Sequence, residues 1–166
     1  MNYLKIDKND YVNGKGLCVS LFVAGCPHHC KGCFNPESWR FDAGKEFAEE
    51  AIQEILEAIS AQDIIRNFSL LGGEPLAPSN RRRVGYLLAR IREKYPDIII
   101  YLWTGYTYEE LIKESNYIID WILKRIDVLI DGPFIEDEKD LTLDLRGSKN
   151  QRIIYLKEGK LVNGSL

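Results

Sequence analysis

The sequence lacks the features that mark membrane, secreted or nucleic-acid-binding proteins. No stretch of its 166 residues approaches the roughly 20 consecutive apolar residues that a membrane-spanning helix needs. Residues 1–10 contain no apolar core of the kind found in signal peptides. The net charge of −3 gives no basic excess that would attract nucleic acid. We therefore expect a cytoplasmic protein with no membrane and no nucleic-acid partner.

Cysteine is also scarce, and its distribution is informative. The chain has four cysteines, and Cys18 lies alone within an apolar run, where a small buried core residue is expected. Cys26, Cys30 and Cys33 follow that run with the spacing C-x3-C-x2-C. Because nothing indicates an oxidising compartment, a disulfide is disfavoured. The cysteine count leaves room for one cluster and no auxiliary one.

The three closely spaced cysteines predict a metal-binding loop. Soft thiolates suit iron–sulfur clusters, which normally take four cysteines, so a cubane held by three leaves one iron open to a ligand that is not protein. A zinc site would need a fourth protein ligand, and His28 is better placed for that than His29, which adjoins Cys30. We favour a [4Fe-4S] cluster on the three cysteines and keep a non-catalytic zinc-binding module as the alternative.

The order of predicted elements indicates an α/β fold with a mainly parallel sheet. Thr107 and Glu110 predict a capping box at a helix start. A complete (βα)8 barrel typically needs about 250 residues, so we expect a single domain over residues 1–166, an incomplete (βα) barrel open on one side. The predicted strands are 17–24, 68–71, 98–103 and 127–131, the predicted helices are 47–60, 80–95 and 107–124, and a hairpin closes the chain over 152–162.

Chemically distinctive residues fall where the predicted strands end. The cysteine loop, the Gly-Gly-Glu-Pro turn at 72–75, and residues 104–106 and 131–133 each follow a strand. Ligand sites gather at the carboxyl ends of parallel strands. Gly72 and Gly73 leave backbone groups uncovered, where an ammonium group can bind. The sequence therefore predicts one site, in which the open iron chelates an amino acid through its amine and carboxylate.

The cysteine triad followed by the Gly-Gly-Glu-Pro turn resembles the radical S-adenosylmethionine superfamily. Within it, the chain is similar to the activating enzymes of anaerobic ribonucleoside-triphosphate reductase, and the similarity spans most of the sequence. One departure is Gly32, which stands where many members carry an aromatic residue before the third cysteine. The segments that resemble this subgroup are 13–16, 26–30, 32–35, 103–106, 131–134 and 146–152.

This resemblance implies a reaction. The reduced cluster donates one electron to S-adenosyl-L-methionine, and the resulting 5′-deoxyadenosyl radical takes a hydrogen atom from a glycine of the large reductase subunit, leaving a glycyl radical. A one-electron donor such as flavodoxin is expected, with Arg81–Arg83 as a candidate docking patch. The alternatives within the superfamily are an activase of another glycyl-radical enzyme and a small enzyme acting on a metabolite such as a deazapurine precursor.

The resemblance also implies contacts with S-adenosylmethionine. The backbone of Gly72, Gly73 and Glu74 is expected to bind the ammonium group of the methionine part. Phe34, directly after the third cysteine, is expected to cover the adenine. Thr104 and Asp131, at later strand ends, are candidates for the carboxylate, the ribose or a nearby cation.

Overall fold

One sheet of eight strands organises residues 1–162, which are the residues that the computed structural model describes. The predicted domain ends at residue 166, so its last four residues lie outside this range. The strand order is β3-β1-β2-β4-β5-β6-β7-β8. The strands are β1 (Asn2–Asp10), β2 (Cys18–Val23), β3 (Lys45–Glu46), β4 (Asn67–Gly72), β5 (Ile100–Trp103), β6 (Val128–Asp131), β7 (Arg152–Lys157) and β8 (Lys160–Leu161).

The centre of the sheet is parallel, whereas both sides are antiparallel. Strands β2, β4, β5 and β6 pair in parallel. Strand β1 pairs antiparallel with β2 and β3, and β7 pairs antiparallel with β6 and β8. Among the described strands, four antiparallel pairings therefore outnumber three parallel ones. The fold is α/β, but the prediction of a mainly parallel sheet is wrong, because β3 and β1 on one side and β7 and β8 on the other add antiparallel strands to the parallel centre.

The sheet is not closed, in line with the predicted opening, but the predicted barrel-like arrangement is not confirmed. Its two edges are the two-residue strands β3 and β8. Strand β1 is absent from the sequence-based prediction, although it covers β2 along most of its length, with Ile6 opposite Leu21 and Asp7 opposite Ser20. The four strands predicted on apolar content correspond to β2, β4, β5 and β6, and the predicted closing hairpin to β7 and β8.

The helices pack on one face of the sheet and bury the main core. Their bounds are α1 (Glu49–Ile59), α2 (Arg81–Lys94), α3 (Tyr108–Lys113) and α4 (Tyr117–Leu123). Leu21 of β2, Ile55 of α1 and Leu87 of α2 are all fully buried in this core. Within residues 1–162, none of these helices has the length and apolar character needed to cross a membrane.

The predicted helix over 107–124 is two helices. The capping box that starts α3 is present: Thr107 Oγ1 accepts from Glu110 N, and the Glu110 carboxylate accepts from Thr107 N at 2.7 Å. Ser115, with φ of 51°, interrupts the helical backbone. Asn116 then caps α4 by accepting a hydrogen bond from Ile118 N at 2.9 Å.

The opposite face of the sheet carries a smaller core and leaves space for a site. Tyr101, Val128 and Ile130 form this core, and Trp103 and Leu145 pack against it. Trp103 Nε1 donates to the carbonyl oxygen of Leu145 at 2.7 Å, which holds the segment before β7 against the sheet. No α-helix covers this face among the described residues, so irregular segments form its walls.

We expect Leu87→Ala to lower the free energy of unfolding by about 2–5 kcal/mol, because it leaves a cavity in a fully buried part of α2. Anaerobic urea denaturation followed by circular dichroism measures the change. The matched control is Arg82→Ala on the exposed side of the same helix, which should change stability by no more than about 0.5 kcal/mol. Equal effects of the two substitutions would contradict the placement of Leu87 in the core.

Candidate functional site

The carboxyl ends of the parallel strands border a cavity of about 490 Å³. Its lining includes the cysteine loop, the turn after β4, Thr104 and Gly105 after β5, and Gly132 after β6. The segment 141–147 forms a further wall. The structure thus brings together the four loops that the sequence placed at strand ends. A volume of this size is typical of a small-molecule site.

Cys26, Cys30 and Cys33 all line this cavity as free thiols. Burial raises the pKa of the Cys26 thiol to about 11, and the nearby Glu74 carboxylate acts in the same direction. Such a thiol becomes a thiolate readily only when a metal cation compensates the charge. Asn35 N donates to Cys33 Sγ at 3.4 Å, a kind of hydrogen bond that tunes the sulfur ligands of clusters. The donor set therefore fits an iron–sulfur cluster.

Within residues 1–162, no fourth protein ligand is available next to the three cysteines. Cys18 is fully buried at the start of β2, about 16 Å along the strand from Val23. His28 Nε2 lies 2.8 Å from Glu74 Oε2 and is engaged there. In the same range, no three His, Cys, Asp or Glu side chains lie close enough to share a single ion. This arrangement gives no support to the zinc alternative.

Gly72 and Gly73 pack directly against the end of β2 and the start of the cysteine loop. Gly72 has φ of +104°, and a Cβ at Gly73 would lie 2.7 Å from the carbonyl oxygen of Gly25. Gly73 N donates to Val23 O, and Glu74 N donates to Gly25 O, both at 2.8 Å. These N–H groups therefore already donate to backbone oxygens of the protein itself. An ammonium ligand is a donor and needs the carbonyl oxygens of the turn.

The Glu74 side chain is the part of this turn that the sequence analysis missed, because only its backbone was expected to act. The carboxylate is 1% exposed and receives two hydrogen bonds on each oxygen. Oε1 accepts from Leu76 N at 2.9 Å and from Thr104 Oγ1 at 2.8 Å. Oε2 accepts from Gly105 N and lies against His28 Nε2, both at 2.8 Å. Three loops of the cavity edge thus meet on one carboxylate.

Phe34 lines the cavity beside the third cysteine and is half-exposed. Its ring packs edge-on against Phe134, with centroids 5.1 Å apart, and Lys139 Nζ lies 5.0 Å from its centre. Gly32 has φ of +73°, and a Cβ there would lie 2.7 Å from the Glu136 carboxylate. The positive φ disfavours an aromatic residue at position 32, and the Glu136 side chain would have to move to admit one. Phe34 presents an aromatic surface to the cavity.

The structure does not bring the Asp131 side chain into the cavity. Asp131 is fully buried, accepts from Tyr108 N at 2.8 Å and from Arg152 Nε at 2.9 Å, and is absent from the lining. Thr104 does line the cavity, but its hydroxyl hydrogen is donated to Glu74. Contact of these two side chains with the cofactor stays a prediction, and of the two only Thr104 borders the cavity.

Arg146 is a cavity residue whose role the sequence analysis left open. It is the only Lys or Arg among the lining residues found within the described chain. Its guanidinium reaches only backbone oxygens, those of Asp144 at 3.3 Å and Gln151 at 3.5 Å. In the sequence, the basic character of segment 146–152 was the feature that could have drawn attention to Arg146.

The arginine run Arg81–Arg83 does not form an exposed patch. Arg81 is buried, donates to the carbonyl oxygen of Leu76 and pairs with Glu114. Arg83 donates to the carbonyl oxygen of Phe47. Only Arg82 is exposed. The structure therefore gives no support to a docking patch formed by all three arginines, because Arg81 is buried and Arg83 is partly buried, and each donates to a neighbouring segment.

Comparison with known proteins places the chain in a family. A family model described as "4Fe-4S single cluster domain" matches residues 12–154. An anaerobic ribonucleoside-triphosphate reductase-activating protein of Haemophilus influenzae is 42% identical over 158 residues, which cover 95% of this chain and 99% of that protein. The protein of the same name from Escherichia coli K12 is 39% identical over 158 residues, covering 95% and 100%.

A third relative, from Enterobacteria phage T4, carries the same name and is 41% identical over 155 residues, 92% of this chain and 93% of its own. The chain belongs to the family of anaerobic ribonucleoside-triphosphate reductase-activating proteins. No solved structure matches it. The residues matched to the 4Fe-4S model include the cysteine loop and the residues that line the cavity described above.

In this activating protein, we expect Cys26→Ala, Cys30→Ala and Cys33→Ala each to abolish cluster assembly, because each removes one of three thiolates that line the cavity. Iron and sulfide analysis of the reconstituted protein measures the loss. Cys18→Ala is the matched control and should keep the full content, since Cys18 lies in the core. Loss of the cluster in Cys18→Ala, with the fold intact by circular dichroism, would contradict the ligand assignment.

Proposed function

We propose that this protein cleaves S-adenosyl-L-methionine reductively and installs a glycyl radical in the large subunit of anaerobic ribonucleoside-triphosphate reductase. The observation that carries the proposal is the meeting of the three-cysteine loop and the Gly72–Glu74 turn in one cavity. A reduced [4Fe-4S] cluster held by Cys26, Cys30 and Cys33 would supply the electron for breaking the S–C5′ bond, and the resulting deoxyadenosyl radical would take a hydrogen atom from the target glycine.

The residues of the chain hold and orient the cofactor. Three cysteines leave one position of a cubane without a protein ligand, where the amine and carboxylate of the methionine part can bind. The carbonyl oxygen of Gly73 faces no donor among the described residues and suits the ammonium group. Phe34 offers an aromatic face next to Cys33 for the adenine. Binding at both ends fixes the reacting bond relative to the cluster.

Arg146 is the residue we assign to the cofactor's carboxylate. S-adenosylmethionine carries one carboxylate, and Arg146 is the one Lys or Arg in the cavity lining found within residues 1–162. Asp131 carries the wrong charge for this contact and lies outside the lining. A guanidinium binds a carboxylate through two parallel hydrogen bonds.

We expect Arg146→Gln to weaken binding of S-adenosylmethionine about tenfold or more, because a charge-assisted hydrogen bond is lost. Anaerobic calorimetry on the reconstituted protein measures the dissociation constant. Decarboxylated S-adenosylmethionine should bind the native and variant proteins equally, since it lacks the group that Arg146 contacts. Lys149→Gln, an exposed change in the same segment, is the matched control. An equal loss for both ligands, or no loss for either, would argue against the contact.

The mouth of the cavity supports a macromolecular substrate. Val12 and Leu141 are lining residues that are 78% and 75% exposed, and Phe34 beside them is 51% exposed. Apolar side chains grouped at a surface commonly mark a binding site for another protein. The reductase named for the relatives is the partner we propose, because a segment of it seated here also excludes water from a reactive radical.

The electron must come from outside the chain, and we propose a one-electron donor such as flavodoxin. All four cysteines are free thiols, as expected in the reducing cytoplasm. The proposal does not use Arg81–Arg83 as the docking surface of the donor, since Arg81 and Arg83 have partners within the protein.

We expect cleavage of S-adenosylmethionine by the isolated, reduced protein to be slow or uncoupled, because its cavity is open to solvent. Adding the reductase subunit should couple cleavage to a glycyl-radical doublet in electron paramagnetic resonance. Replacing the target glycine of the reductase by alanine should remove the doublet and preserve the complex.

The competing functions give different results in the same assay. Rapid turnover of a small purine or sugar without a partner would establish the metabolite enzyme instead. Activation of a different glycyl-radical enzyme, with none of the reductase, would establish the other activase. Cys30→Ala serves as the cluster-free control for every arm.

A further inference from the structure

The cysteine loop is tied to the cofactor-binding turn by one buried side-chain contact. His28 lies between two cluster ligands, Cys26 and Cys30, and its Nε2 is 2.8 Å from Oε2 of Glu74. Glu74 directly follows the two glycines of the turn. The side chains are 18% and 1% exposed, so water does not compete strongly for the contact. The two motifs that bind the two ends of the cofactor are thereby joined across 46 residues of sequence.

The imidazole of His28 has little freedom to move away from this carboxylate. A Cβ at Gly105 would lie 2.5 Å from His28 Cδ2, so the ring occupies the space that a side chain at position 105 would fill. The ring of Tyr106 packs edge-on against it, with centroids 4.5 Å apart. His28 is therefore enclosed by the backbone after β5 on one side and an aromatic ring on another.

The carboxylate in turn depends on His28. A buried carboxylate needs hydrogen-bond donors, and one left short of them is costly. Glu74 has four, two on each oxygen. Without His28, Oε2 would keep only the bond from Gly105 N. Loss of either partner therefore removes the side-chain bond between the cysteine loop and the turn and leaves only the backbone contacts at Gly25, next to Cys26.

We propose that His28 and Glu74 are positioning residues that set the distance between the cluster and the backbone acceptors for the cofactor's ammonium. The inference rests on the proposed function, because one amino-acid group must reach the open iron and the turn at once. A shift of about 1 Å in either would spoil that fit. Cluster assembly itself depends on the cysteines and on contacts local to their loop, such as Cys33 N donating to Cys30 O at 3.1 Å.

The test compares reconstituted His28→Leu, His28→Gln and His29→Asn with the native protein. Leucine removes the donor, whereas glutamine keeps an N–H at the end of a side chain of similar reach. His29 is the matched control, because it lies in the same loop, is exposed and stacks on Trp39 instead of meeting a carboxylate. Asparagine suits its φ of 47°.

Two measurements decide the result. Anaerobic calorimetry should give about tenfold weaker binding of S-adenosylmethionine for His28→Leu, with His28→Gln and His29→Asn near the native value. The change that the cofactor causes in the electron paramagnetic resonance spectrum of the reduced cluster should shrink in His28→Leu only. Iron and sulfide content should be the same in all four proteins.

A double-mutant cycle with Glu74→Gln adds a second criterion. Both substitutions break the His28–Glu74 contact, and only Glu74→Gln also disturbs the other hydrogen bonds of this side chain. The double variant should therefore bind the cofactor no more weakly than the worse single variant. Native binding by His28→Leu, loss of its cluster, additive effects, or failure of His28→Gln to restore binding would each overturn the inference. A native protein that does not bind S-adenosylmethionine would instead reject the proposed function.

Discussion

A carboxylate buried beyond the end of a central strand needs hydrogen-bond donors, and distant parts of the chain must supply them. Glu74 is that carboxylate in this structure. Its four hydrogen bonds come from its own turn, from the end of β5 and from the cysteine loop, up to 46 residues away. Because β2, β4 and β5 run parallel, the loops that follow them meet at the same end of the sheet. The carboxylate then fixes their relative positions, because moving any one of them would leave a buried charge short of partners.

The elements predicted correctly are those whose signal is contained in a short window. Helices α1 and α2 show apolar residues at helical spacing, and the capping box of α3 needs only Thr107 and Glu110, three residues apart. Strand β1 gives no such signal, because it mixes lysines, asparagines and aspartates with its apolar residues. Its stability comes from pairing with β2, which is not visible in its own sequence. The break between α3 and α4 depends on one backbone angle, at Ser115.

The site residues divide in the same way, into those identified by local sequence and those whose placement depends on distant parts of the chain. Spacing alone singles out the three cysteines as a group, and the structure places all three on the cavity. Asp131 stands at a strand end like the other candidates, yet Arg152, 21 residues later, holds its carboxylate away from the cavity. His28 was considered only as a zinc ligand, since its partner Glu74 lies far along the sequence, in the turn after β4. Position in the sequence correctly predicted which residues lie at the carboxyl ends of the parallel strands. The direction of each side chain, however, depends on partners that are distant in the sequence.

The two glycines of the turn show why the cluster and the cofactor site form one unit. A side chain at Gly73 would collide with the backbone of Gly25, next to Cys26, so the turn and the cysteine loop touch backbone to backbone. This side of the cavity is therefore fixed by direct contact and by the Glu74 hydrogen bonds. The other side is different, because it exposes Val12 and Leu141 to solvent. Such a division suits the proposed function, in which one side would hold the cofactor rigidly while a segment of the reductase reached it from the other.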